Sequence, residues 1–411
     1  PGPPRRGSHP MKVWCVLTTA SLVVSAAARS GSVLLNEAPF LMTHDAASGY
    51  LGHGLVDAWT RTQEGGFKEQ LSCGARALDA RPKLDVDLGL VWHHGGVTIP
   101  MPFNDSIADV IEWCAGHPED LVLLAVWDCV GDGCMHAATA ALAALGVPMV
   151  SDCSDLRGMT LEQAETAAQL NGGGKLLALV GDTNPDGVAC AYGNYNVSVT
   201  CSGFVEDLLL PSSSNSSQSL PSSAAAAVAA AAAAAAAAPQ EGRLVPLLEQ
   251  CLREARVADP STPAATLTGL QLEALTACGE GLRQSYDGEM LRGLRDRTTY
   301  RCYQSDPSHT IPFSTMFSYL DAVAAQALPE DGQLVQMQAL WQETAVTVVL
   351  GSLELSSLVR DERRSDLNAA IVSALQQGRW GWVNLLEVNN VCHNGPALLR
   401  ALQGAASHEE R

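Results

Sequence analysis

DLVLLAVWD, residues 120–128, is apolar from Leu121 to Trp127 and ends on an aspartate. A strand wetted on one side alternates apolar with polar residues, so this unbroken run reads as a strand buried on both faces. Its neighbours support that reading. SIADVIEWCAGH (106–117) before it and MHAATAALAALG (135–146) after it space their apolar residues at helical intervals. Continuous apolar strands alternating with amphipathic helices predict a parallel sheet covered by helices.

The alternation extends in both directions. Runs of strand character are PFLMTH (39–44), GARALDAR (74–81), LGLVWHH (88–94), VPMVSD (147–152) and KLLALVGD (175–182), followed later by YRCYQ (300–304), ALWQETAVTVVLG (339–351) and WVNLLEVNN (382–390). SDLNAAIVSALQQG (365–378) adds a helix, with Ser365 as its N-cap and Gly378 as its stop. About eight such strands predict an α/β protein built as a distorted TIM-type (β/α)8 barrel, with an open doubly wound sheet as second choice. No glycine-rich phosphate loop follows the first strand, which counts against the open sheet.

The chain has 411 residues, 47% of them hydrophobic, enough for one large core or two modest ones. Its formal net charge of −19 argues against nucleic acid and against tight docking on anionic lipid. From Met11 the sequence runs through Lys12 and a short apolar stretch to Ala26-Ala27-Ala28, the pattern of a cleaved secretory signal. Residues 1–28 are therefore expected to be an N-terminal extension and signal peptide, and the mature protein to be secreted. Residues 29–204 and 244–411 are expected to form the two parts of one barrel. Between them, 205–243 is a low-complexity insertion, centred on PSSSNSSQSLPSSAAAAVAAAAAAAAAAPQEG (211–242). Its alanine tract would reach only ~22 Å as a helix, short of a ~30 Å hydrocarbon core.

Eleven of the twelve cysteines follow the signal. In an exported protein they read as disulfides with one free or intermolecular thiol left over. Cys129 and Cys134 enclose the turn sequence VGDG and are expected to pair; Cys190 and Cys201 would close another small loop. Asn104, Asn196 and Asn215 begin glycosylation sequons.

In a barrel of this kind catalytic groups gather at the carboxyl ends of the strands. His44 and Asp45 end the first expected strand, Asp79 and Arg81 the second, and His93 and His94 the third, while Asp128 and Asp182 end later ones. Singly, each has a structural explanation, as a helix cap or an ion pair. Two histidines, several carboxylates and an arginine at one mouth are hard to explain as stability alone.

MTHDAAS, FKEQLSCGARALDARP, VWHHG and FNDSIADVIEWCAGHPEDLVLLAV lie in this order over residues 38–128. Together they resemble the X region of the phosphatidylinositol-specific phospholipase C family. ALWQ near 339 and WVNLLEVNNVCHNG near 382 resemble the last strands of its secreted eukaryotic members. The resemblance implies a distorted TIM-type barrel that cleaves phosphodiesters, with His44 as general base and His94 as general acid. It makes Asp45 the residue that holds the attacking hydroxyl or tunes the base.

Arg81 stands where calcium-using members carry a second carboxylate, so it would supply the positive charge itself, oriented by Asp79. No metal or other cofactor is then expected, and Ca²⁺ is disfavoured. His93, Asp128 and Asp182 are expected to line the substrate. The expected partners are a phospholipid or glycosyl-phosphatidylinositol-like substrate and a transient membrane surface, for a monomeric protein. Two other classes stay open: a metal-dependent phosphodiesterase of glycerophosphodiesters or sphingolipids, and a secreted barrel that binds a head group without turnover.

Overall fold

The computed structural model describes residues 33–52, 54–181, 191–193, 313–325, 334–341 and 357–406. Eleven strands lie in these segments: β1 (Phe40–Thr43), β2 (Ala77–Ala80), β3 (Pro82–Asp85), β4 (Gly89–His94), β5 (Val97–Ile99), β6 (Leu121–Val126), β7 (Met149–Val150), β8 (Lys175–Val180), β9 (Ala191–Gly193), β10 (Leu334–Gln338) and β11 (Leu385–Val388). The helices are α1 (Leu55–Thr60), α2 (Phe67–Ser72), α3 (Phe103–Gly116), α4 (Cys134–Ala144), α5 (Leu161–Ala167), α6 (Phe313–Ala324), α7 (Leu358–Ser365), α8 (Leu367–Gln376) and α9 (Gly395–Ala406). None of them is long and apolar enough to cross a membrane. The expected signal, Asp182, Cys190, Cys201, Asn196, Asn215, the 205–243 insertion, the 300–304 run and all of 339–351 beyond Trp341 lie outside the described residues.

Eight strands form one sheet in the order β7-β8-β6-β2-β1-β11-β10-β9, and every pairing in it is parallel. The first and last described strands, β1 and β11, are neighbours, as in a barrel. Among the described residues the sheet ends at β7 and β9, with no pairing between them. The order also departs from a simple barrel, because β8 pairs directly with β6 and leaves β7 outside it.

Residue alternation sorts the sheet into two buried faces. Leu41, Leu78, Val122, Leu124, Leu176 and Leu386 face the helices, among side chains such as Ile107, Val110, Leu142 and Leu398. Phe40, Met42, Ala77, Leu123, Leu177 and Leu385 face the other way, into a smaller apolar cluster with Leu35 and Leu156. Both faces are covered, which is why the strands read as continuous apolar runs.

Three expectations are corrected. LGLVWHH forms β4, which is no part of the parallel sheet: it sits in a separate antiparallel sheet, β3-β4-β5. The chain reverses at Asp85-Val86-Asp87-Leu88-Gly89, where the Asp85 carboxylate accepts the N–H groups of Asp87 and Leu88 and Gly89 takes a φ of 76°. Ala339, where a strand is expected to begin, instead follows β10, which ends at Gln338, and the expected run beyond Trp341 lies outside the described residues; the buried Gln336 and Gln338 interrupt the apolar pattern of β10. Ser365 closes α7 rather than capping one long helix: Ser357 caps α7, and Asp366, with a φ of 55°, separates it from α8. Gly378, with a φ of 67°, does stop α8.

Cys129 and Cys134 are bonded, and Cys73 is bonded to Cys392 across 319 residues of sequence. Among the described residues Cys114 is the free cysteine, and it is buried. A side chain on Gly395 would strike the Cys73 carbonyl at 2.2 Å, so this second bridge depends on a glycine beside it.

Candidate active site

β1, β2 and β6 deliver their polar ends to one place because they are adjacent and parallel. Asp45 follows β1 in the left-handed region, with a φ of 44°, and Asp128 follows β6 at 49°. Aspartate tolerates this conformation better than most residues, and here it turns the chain sharply off the strand.

Asp45 is the hub. Its Oδ2 lies 3.1 Å from His44 Nε2 and 3.0 Å from His94 Nε2, and its Oδ1 lies 3.0 Å from Arg81 Nε. Asp79 braces the arrangement from below. Its Oδ2 accepts the Asp45 N–H at 2.9 Å and Arg81 Nη2 at 3.0 Å, while its Oδ1 accepts Trp127 Nε1 at 2.5 Å. The Arg81 guanidinium lies over the Trp127 ring, 4.6 Å from its centre. The two imidazoles stand edge to face with centres 6.0 Å apart. Asp79 is fully buried; Arg81 at 9% and His94 at 7% are the members of the cluster most open to solvent, so an incoming ligand meets them first.

The outer nitrogens fix both imidazoles. His94 Nδ1 lies 2.6 Å from the Thr60 carbonyl, which can only accept, so that nitrogen donates. His44 Nδ1 lies 3.0 Å from Asn389 Oδ1. Asn389 donates through Nδ2 to the Trp341 carbonyl at 2.7 Å and to Glu362 Oε1 at 3.0 Å, so it too can only accept from His44. Both Nε2 atoms therefore point at one carboxylate, and each is free to take or hold a proton there.

The electrostatics follow from burial and neighbours. Burial would raise the Asp45 carboxyl, but Arg81 and the two imidazoles outweigh it and hold this group far below the usual range. His44 is pushed below its ordinary value, chiefly by burial and against the pull of Asp45. Arg81 loses to burial but gains more from Asp45 and Asp79, and stays charged. At neutral pH the site combines an ionised carboxylate, a fixed guanidinium and an unprotonated His44.

Five expected residues, His44, Asp45, Asp79, Arg81 and His94, meet here. His93 turns away: its Nε2 lies 2.6 Å from the Asp128 carbonyl and its Nδ1 3.2 Å from the Gly95 carbonyl. The Asp128 carboxylate is close enough to act electrostatically on Arg81. Asn389, Glu362 and Glu387 were not anticipated. Glu387 is wholly buried, accepts Gln338 Nε2 at 3.0 Å, and is pushed up to about 8 by burial and then by the charge of Asp79.

His44, Asp45 and Asp79 offer donor atoms within 4.8 Å of one another, the start of a cation site. A calcium ion takes six to eight oxygens, and here Arg81 already lies against both carboxylates. The donor set does not fit such an ion. It can instead hold an anion on Arg81 while one imidazole accepts a proton and the other gives one.

No family model matches the chain. Among solved structures it is similar to the phosphatidylinositol-specific phospholipase C from Listeria monocytogenes, at 15% identity and a TM-score of 0.32, over 44% of this chain and 69% of that one. It is also similar to a mutant of the corresponding Staphylococcus aureus enzyme, at 16% identity and a TM-score of 0.29, over 36% of this chain and 49% of that one. The match thus spans about half the length of the staphylococcal protein.

Proposed function

We propose that the chain is a secreted phosphodiesterase of the phospholipase C type, acting without a metal on a phosphatidylinositol or glycosyl-phosphatidylinositol phosphodiester. A sheet that closes into a full barrel, a signal in 1–28 and an insertion at 205–243 belong to the same reading. The observation that carries it is the convergence of two oriented imidazoles on Asp45, with Arg81 beside them. The motifs at 38–128 add the substrate class.

In this mechanism Arg81 holds two phosphoryl oxygens, its fixed fork matching their geometry and stabilising the charge that grows on them. His44 Nε2 removes the proton from a hydroxyl on the substrate as that oxygen attacks phosphorus. His94, whose Nε2 lies 3.0 Å from Asp45 Oδ2, gives an Nε2 proton to the departing alkoxide. The P–O bond to the leaving group breaks as the new P–O bond forms, giving a cyclic phosphodiester. Asp45 favours protonation of whichever imidazole currently needs it.

Phosphorus NMR of products from a panel of phosphatidylinositol, glycosyl-phosphatidylinositol and other phosphodiesters, with and without EDTA, tests this. A cyclic phosphate formed equally well with chelator is expected. Absence of turnover across the panel, or activity lost to EDTA and restored by Ca²⁺, overturns it.

A further inference from the structure

The β1–β11 ladder stops just short of the catalytic groups. Its last pair is Thr43 with Val388, and His44 and Asn389 follow directly. His44, Val388 and Val391 are buried, so the backbone groups left beyond the last pair need partners other than water. The side chain of Gln63 provides them. Its Nε2 donates to the His44 carbonyl and to the Val388 carbonyl, each at 3.0 Å, and its Oε1 accepts the Val391 N–H at 3.0 Å. One side-chain amide thus does at this seam what a further rung of the ladder would do.

Thr62 adds to the same grip. Its Oγ1 donates to the His44 carbonyl at 2.7 Å, its N–H donates to Ser48 Oγ at 3.0 Å, and its carbonyl accepts the Asn390 N–H at 2.8 Å. Just before it in the chain, the Thr60 carbonyl takes the Nδ1 proton of His94 at 2.6 Å. Thr60, Thr62 and Gln63 are all buried, and the Arg61 Nε between them donates to the Gln63 carbonyl at 3.0 Å. The stretch from Thr60 to Gln63 is therefore a strap on both catalytic histidines: it holds His94 by the ring and His44 by the main chain.

Such a strap has a task here. β1, which leads into His44, belongs to the parallel sheet, and β4, which ends on His94, belongs to the antiparallel one; among the described residues no strand pairing joins them. Acid and base must nevertheless keep a fixed separation, now 6.0 Å between ring centres, because small displacements of reacting groups are costly to rate. We propose that Thr62 and Gln63 are positioning residues, which set the spacing of His44 from His94 by holding the strap against the end of the β1–β11 seam. The consequence for turnover rests on the phosphodiesterase reading, but the consequence for the two imidazoles does not. If these side chains did no more than satisfy buried backbone groups, losing them would show only as lost stability. Positioning has another signature: the Gln63 side chain bonds to His44, Val388 and Val391, so loosening it reaches the His94 ring through Thr60.

Nitrogen NMR of labelled imidazoles in the full chain, together with kcat and KM on phosphatidylinositol in mixed micelles, tests the strap. In the original protein both neutral rings should carry their proton on Nδ1. Gln63→Leu offers no donor or acceptor, and Thr62→Val keeps the shape without the hydroxyl. In each, both rings should show mixed tautomers and kcat should fall, by ~10²-fold for Gln63→Leu, with KM nearly unchanged. Thr62→Ser keeps the hydroxyl and should behave as the original. The proteins are compared at a temperature where circular dichroism shows each to be folded, and Thr62→Val carries the test if Gln63→Leu does not fold. A His94 ring unmoved in the folded variants, or a loss confined to KM or to the melting temperature, overturns the proposal. Ring signals that respond in a chain turning over no phosphodiester overturn the enzymatic reading and uphold the strap.

Discussion

Asn389 presents its amide oxygen to Nδ1 of His44 at 3.0 Å, and the hydrogens on its own nitrogen are spent on the Trp341 carbonyl and on Glu362. The side chain cannot turn over without breaking those bonds, so His44 keeps its proton on Nδ1 and its lone pair on Nε2. A neutral amide orients the imidazole without adding negative charge to it. Replacing Asn389 by Asp should therefore raise the His44 pKa, which burial now holds low, and shift the acid limb of kcat/KM to higher pH. Asn389→Leu should lower kcat/KM by ~10–100-fold, the scale of losing a partner that orients an imidazole. An unmoved acid limb in the Asp variant would remove His44 from the role of base.

His44→Ala and His94→Ala should each lower turnover by ~10²–10⁴ while leaving the fold intact. A substrate with an activated leaving group needs little protonation as it departs. On that substrate His94→Ala should regain much of its activity and His44→Ala should not. Equal losses by both variants on both substrates would contradict the division of labour.

Arg81 reaches Asp45 through Nε and Asp79 through Nη2 while lying over Trp127. A lysine ammonium offers a single point of charge and cannot reproduce this fork. Arg81→Lys should lower kcat by ~10²–10³, and added Ca²⁺ should not restore it. Recovery with Ca²⁺ would mean that the carboxylates can serve as a cation site once the guanidinium has gone.

Glu387 predicts a pH dependence of stability. Its carboxyl is pushed up to about 8 in the folded protein, whereas an unfolded glutamate titrates near 4.3. Between those values the native state keeps a proton that the unfolded chain has lost. Stability is then fully present below about pH 4 and is lost as the pH rises toward 8. Glu362, also pushed up to about 8 by burial, acts in the same direction. Glu387→Gln keeps the shape and cannot ionise, so its stability should fall less steeply over that window, by about 1.4 kcal/mol per pH unit. Urea titrations at several pH values read this directly; parallel slopes for the two proteins would refute it.

Much of the site was legible because His44, Asp45, Asp79 and Arg81 end, or directly follow, apolar runs that are sheet strands. His94 was found for a partly wrong reason, since β4 belongs to a hairpin. The signal for that hairpin, Asp and Gly between two short strand-like runs at 83–90, was present and was outweighed by the apolar run into the histidines. Asn389 and Glu387 occupy the inner positions that follow Leu385 at a period of two, but an isolated carboxylate in a strand reads equally well as solvent-facing. Glu362 was hidden for another reason. It stands in RDERRS, whose charges suggest a solvated helix face, and only packing against Trp341 and Asn389 buries it.

The Cys73–Cys392 bond has a topological consequence. Every group described in the site comes from residues 43–128 or from 334–392, and the bond joins these two stretches, as the β1–β11 pairing also does. The polypeptide is covalently a loop closed between the two stretches that build the site, leaving the intervening segment attached at two points. Cleavage of that segment would give two fragments that migrate as one species until a reductant is added. The site would then belong to a heterodimer made from a single gene product.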